Sequence, residues 1–101
     1  MEEKILEFIK RRFPSEDRWM SGNCWWFATI LAGFANADRY KLEVVYDPIN
    51  GHFYAYDALE NVYYDWQGAH RIIQDSEFVS MEWLKEHDTA WLQRLLRDCI
   101  L

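Results

Sequence analysis

The segment CWWFATILAGFAN, residues 24–36, constrains the fold more than any other stretch of the chain. It has helix length, and Trp25, Trp26, Phe27, Ile30, Leu31 and Phe34 leave the helix without a polar face. A helix that is apolar all round is buried on more than one side. The rest of the chain must therefore wrap it. With 101 residues, there is material for one small domain, taken as residues 1–101. Six Trp, six Tyr and six Phe supply large buried areas from few positions.

The wrapping elements follow from periodicity. Ile5, Leu6, Phe8, Ile9 and Phe13 recur at helical spacing, and Pro14 stops that helix. A polar connection covers 15–23. Three β-branched and aromatic runs come next: KLEVVY at 41–46, HFYAY at 52–56 and VYYDW at 62–66. The turn-forming stretches DPING and DALEN separate them, so the pattern predicts an antiparallel meander. HRII at 70–73 extends it as a fourth strand. Two helices are expected at 80–86 and 88–99, the second capped by Asp88 and striped by Trp91, Leu92, Leu95, Leu96 and Cys99. The expected class is α+β, with the helix bearing Cys24 packed on a small antiparallel sheet and flanked by terminal helices.

Charge and patterning narrow the partners. A net charge of -6 offers nothing to offset phosphate repulsion, so nucleic acid is not the expected partner. The one basic cluster, Lys10 to Arg12, suits the C-terminal end of a helix. No apolar run reaches membrane-spanning length, and MEEKILEF lacks a signal-peptide pattern. With two distant cysteines, a cytoplasmic, reduced protein is expected, a Cys24–Cys99 disulfide being the alternative. Cys99 reads as core. His70 and His87 read as isolated, solvated residues near turns. Glu2, Glu3, Glu16 and Asp17 read as an acidic solvated face.

Cys24 stands where a turn becomes a buried helix, with Ser21 or Asn23 as the cap. Unpaired N–H groups and the helix dipole there favour a thiolate; by itself, the residue could equally be a small buried hydrophobe. His52 begins the second strand and Asp65 ends the third, and the start of one antiparallel strand neighbours the end of the next. A loop at residues 58 and 59 would set His52 opposite Asp65. A four-residue loop moves the partner by two and keeps both side chains on one face, whereas a three-residue loop without a bulge separates them. A thiol, a base and a carboxylate are the parts of an activated nucleophile. Zinc is the competing use of such residues, but the close ligand pairs zinc sites employ are missing. DPING lacks the further spaced oxygen ligands of a calcium loop.

GNCWWFA at 22–28 resembles the nucleophile segment of the papain-like cysteine peptidase superfamily, where small residues precede Cys-Trp and an aromatic follows. GHFYAY at 51–56 resembles its His strand, and YYDW at 63–66 its third-member strand. The order Cys, His, Asp is also that of the superfamily, and the likeness covers about residues 21–68. It implies that Cys24 is the nucleophile, His52 the general acid and base, and Asp65 the group that orients the imidazole. It further implies that Trp66 shields the His–Asp pair, the other reading of Trp66 being ordinary hairpin packing. Asp in the third place is closer to bacteriocin-leader peptidases, transglutaminases and arylamine acetyltransferases than to papain. The stretch EDRWMSGN carries no Gln before the cysteine. The oxyanion hole would then use the Cys24 N–H with a second donor, Asn23 or Arg18.

The expected function is thiol-dependent acyl transfer: hydrolysis of a peptide, isopeptide or other amide bond in a peptide or protein substrate, without cofactor, metal or membrane. Transglutaminase-like transfer to an amine would use the same three residues. A noncatalytic protein-binding domain on the same fold is the reading from another class, with Trp and Tyr side chains as its surface.

Overall fold

The structure is a computed structural model, and it describes residues 1–13, 24–71 and 78–97. The described elements are four helices and five strands in the order α1 (Glu2–Arg12), α2 (Cys24–Ala37), β1 (Glu43–Asp47), β2 (His52–Asp57), β3 (Val62–Asp65), β4 (Gly68–His70), β5 (Val79–Ser80), α3 (Met81–His87) and α4 (Thr89–Arg97). The strands form one antiparallel sheet in the order β4-β3-β2-β1-β5. The meander is present, and the fourth strand lies two residues earlier than HRII. At two residues, β5 is too short to carry a periodic signal.

Two four-residue loops set the register. Asp47 pairs with His52 across the first, and Asp57 with Val62 across the second. Each opening Asp accepts from backbone N–H groups two and three residues on: Ile49 and Asn50 for Asp47, Leu59 and Glu60 for Asp57. These are the local turns that Asp side chains nucleate. Each loop closes on a residue with positive φ, Gly51 at 62° and Asn61 at 54°. Gly and Asn are the residues that tolerate that conformation best.

Alternation then divides the sheet. Phe53, Ala55 and Asp57 share one face with Val62 and Tyr64, their neighbours by register. Helix α2 lies across β1, β2 and β3 on this side. It turns Phe27, Ala28, Leu31, Ala32 and Ala35 inward, all buried. Three alanines let the helix approach closely. Its outer side is less covered than the expected burial on more than one side. Ile30 and Phe34 are half-buried, and Gly33, Asn36 and Ala37 are exposed. Helix α1 covers only part of that side, with Phe8 stacked on Phe34 at 4.0 Å, while Phe13, just after α1, meets the inward Phe27 at 4.6 Å.

Lys10, Arg11 and Arg12 occupy the last turn of α1, where the helix dipole favours cations. Asp88 caps α4 by accepting from the Trp91 N–H at 3.1 Å, and Ser80 caps α3 through the Trp83 N–H at 3.0 Å. Pro14 and Cys99 lie outside the described residues. No described helix is long and apolar enough to cross a membrane.

Candidate active site

Cys24 is the first residue of α2 and is buried, with a free thiol. The helix delivers it to the start of β2, where Sγ accepts from the Phe53 N–H at 3.5 Å. His52, one residue earlier, opens β2, so the strand start brings backbone donor and imidazole to the same sulfur. Four residues of loop between β2 and β3 put His52 and Asp65 on one face. His52 Nε2 stands 3.3 Å from Asp65 Oδ2, and both side chains are at least nine-tenths buried. That contact is too poorly aligned to be a full hydrogen bond, since Nε2 has no aligned partner. We treat it as an ion pair. With Nε2 turned to the carboxylate, Nδ1 is the nitrogen left for the thiol.

The electrostatics follow from this packing. Burial pushes the Cys24 thiol up, but the imidazole, the Phe53 N–H and the nearby positive charge together hold it below its ordinary value. Burial pushes His52 down, yet Asp65 and Cys24 raise it to about 9. Burial likewise pushes Asp65 up, and His52 and His70 bring it below its ordinary 3.8. The three shifts favour one state: thiolate, imidazolium and carboxylate in a row.

His70 corrects the sequence reading. It is not a solvated residue: Nε2 lies 2.8 Å from Asp65 Oδ1, with about a third of its side chain exposed. The signal was present in DWQGAH. A two-residue turn pairs Asp65 with Gly68 and Tyr63 with His70, so positions 65 and 70 fall on one face. Taking the strand from His70 onward hid this. Tyr54 was also missed. It follows His52 by two on the same face, and its ring meets the imidazole edge-to-face at 4.6 Å. At 8% exposure it covers the histidine, and burial raises its hydroxyl to about 12, so the cover is neutral.

Trp66 is placed by packing. Its Nε1–H donates to the Phe13 carbonyl at 2.9 Å and ties the β3–β4 turn to the end of α1. It also lines a cavity of about 510 Å³ with Leu6, Lys10 and Gln67, one that includes neither Cys24 nor His52. These contacts favour the packing reading of Trp66 over shielding. Asn23 and Arg18, the candidate oxyanion donors, lie outside the described residues. His87 is exposed, as expected, though its ring stacks on Trp83 at 4.8 Å. Among the described residues, no group of three or more His, Cys, Asp or Glu side chains is arranged to hold a metal ion.

No protein-family model, no curated protein and no solved structure matches the chain. The functional reading therefore rests on the residues and their geometry.

Proposed function

We propose that the chain is a thiol-dependent acyl-transfer enzyme on a papain-like plan, hydrolysing a peptide, isopeptide or other amide bond in the cytoplasm. The observation that carries this reading is the meeting of Cys24, His52 and Asp65 at the junction of the α2 and β2 starts. Cys24 thiolate attacks the substrate carbonyl carbon, and the carbonyl π pair moves to oxygen. The Cys24 N–H, in the first turn of α2 where helix donors have no intrahelical acceptor, is one donor to that oxyanion. As the oxyanion collapses, the C–N bond breaks and the leaving nitrogen takes the proton from His52 Nδ1. Water then attacks the thioester, neutral His52 accepts its proton, and the thiolate leaves with the acid released. Asp65 stays ionised throughout and holds the imidazole with Nε2 toward it.

The test is direct. Purified protein is incubated with a diverse peptide library, and acyl-enzyme on Cys24 is sought by mass spectrometry after acid quench. An acyl adduct on wild type that is lost in Cys24→Ala supports the reading. Adding a primary amine in competition with water separates transfer from hydrolysis. If no peptide or amide substrate acylates Cys24 and the thiol reacts like a free one, a noncatalytic role replaces it.

A further inference from the structure

We infer that His70 is a positioning residue for Asp65, and through Asp65 for the Cys24–His52 pair; this rests on the acyl-transfer reading above. The carboxylate of Asp65 is held asymmetrically. Its Oδ1 accepts from the Gln67 N–H at 2.9 Å and faces His70 Nε2 at 2.8 Å, while Oδ2 faces His52 at 3.3 Å. The shorter imidazole contact is thus the one outside the triad. With Asp65 ionised, His70 donates from Nε2. Two donors on one oxygen fix the plane of the carboxylate and aim the other oxygen at His52.

That aim matters because the His52–Asp65 contact does not secure itself. His52 Nε2 is buried without an aligned hydrogen bond. Its stabilisation as an imidazolium depends on where the carboxylate charge is held. His70 is itself located by strand pairing, opposite Tyr63 in β4. The described titratable groups facing it include Asp65 and its cross-strand partner Tyr63 from β3, and Tyr54 from β2, whose ring lies edge-on at 6.1 Å. The neighbouring Arg71 is engaged elsewhere, with Glu2 of α1. Removing the His70 donor leaves Oδ1 with the Gln67 N–H alone and frees the carboxylate to turn.

The experiment needs no substrate. The rate of iodoacetamide labelling at Cys24 is followed against pH by mass spectrometry of the Cys24 peptide. Wild type is compared with His70→Leu, His70→Gln, Asp65→Ala and the double variant His70→Leu/Asp65→Ala. The amide nitrogen of Gln reaches about as far as Nε2 and keeps a donor. We expect His70→Leu to raise the apparent pKa of Cys24 and slow labelling at pH 6 to 7 by about three- to tenfold. His70→Gln should stay within about twofold of wild type, and His70→Leu should add nothing once Asp65 is alanine. If His70→Leu fails to fold, His70→Asn takes its place, since its amide stops short of Asp65. The inference is overturned if His70→Leu labels like wild type while the wild-type thiol is clearly lowered. It is equally overturned if the loss is as large in the Asp65→Ala background, which would mark a merely structural role. A wild-type thiol no more reactive than a free one overturns the acyl-transfer reading and this inference together.

Discussion

His52 and Asp65 meet on a diagonal. Register pairs Asp57 with Val62 and Ala55 with Tyr64 across the β2–β3 pair, which leaves Asp65 two residues short of the position opposite His52. The side chains still come within 3.3 Å because a shift of two residues preserves the face. The same register sets Tyr54 of β2 beside Asp65, on the face where its ring covers the imidazole.

The thiol of Cys24 should ionise below a free thiol. Iodoacetamide is expected to label it faster than a model thiol at about pH 6, where an unperturbed thiol of pKa about 8.5 is almost wholly protonated. Peptide-resolved mass spectrometry gives the rate. Parity with the model thiol across pH 6 to 8 would count against catalysis.

His52→Ala should do more than remove an advantage. The burial that pushes the thiol up remains, while the imidazole that outweighs it is gone. The apparent pKa is expected to rise to the free value or above it, slowing labelling near neutral pH by about tenfold or more. Circular dichroism of the variant establishes that the fold is retained.

Asp65→Ala should lower turnover less than Cys24→Ala, because Asp65 orients and does not attack. In an unrelated serine-protease triad, changing the orienting Asp costs about 10⁴-fold in kcat, which sets a ceiling on the expected loss. Single-turnover acylation on a substrate found by the library screen measures it. A loss equal to that of Cys24→Ala would give Asp65 a larger part than orientation.

Stability should depend on pH through the three site groups, with Cys24 opposing His52 on the alkaline side. His52 is raised from 6.5 to about 9, so its contribution is fully present below 6.5 and lost as pH rises through about 9. Asp65 is lowered from 3.8, so its contribution is present above 3.8 and lost as pH falls through the folded value. Cys24 acts in the opposite sense, since its lowered pKa adds stability as pH rises toward 9.0 and offsets the loss at His52. Urea midpoints measured against pH should therefore decline on the acid side, and Asp65→Asn is expected to flatten that decline. In Cys24→Ser the offset is gone, so an alkaline decline should appear, and adding His52→Gln should remove it.

Trp66→Phe separates packing from shielding. It deletes the hydrogen bond to the Phe13 carbonyl, at a cost of about 0.5 to 1.5 kcal/mol. Urea unfolding should register that loss, while the pH profile of Cys24 labelling stays unchanged. A displaced labelling profile would return Trp66 to the site.

The sequence by itself determined the local elements and the outline of the site. Hydrophobic periodicity and Asp-initiated turns were enough for α1, α2, the three-strand meander and the Asp88 cap, because each depends on neighbours within a few residues. Cys24 at a helix start and His52 at a strand start were legible for the same reason. The loop between β2 and β3 was not, since DALEN is compatible with more than one register, and tertiary packing chose the four-residue form that keeps His52 and Asp65 together. Nor did periodicity reveal β5, whose two residues are a strand only because β1 offers an unpaired edge. The exposed side of α2 was hidden too, because an apolar sequence does not say which neighbours arrive to cover it. The role of His70 lay furthest from view. The two-residue turn in DWQGAH does place positions 65 and 70 on one face, but that the two imidazoles take different oxygens of one carboxylate is a relation of space that only the packed sheet decides.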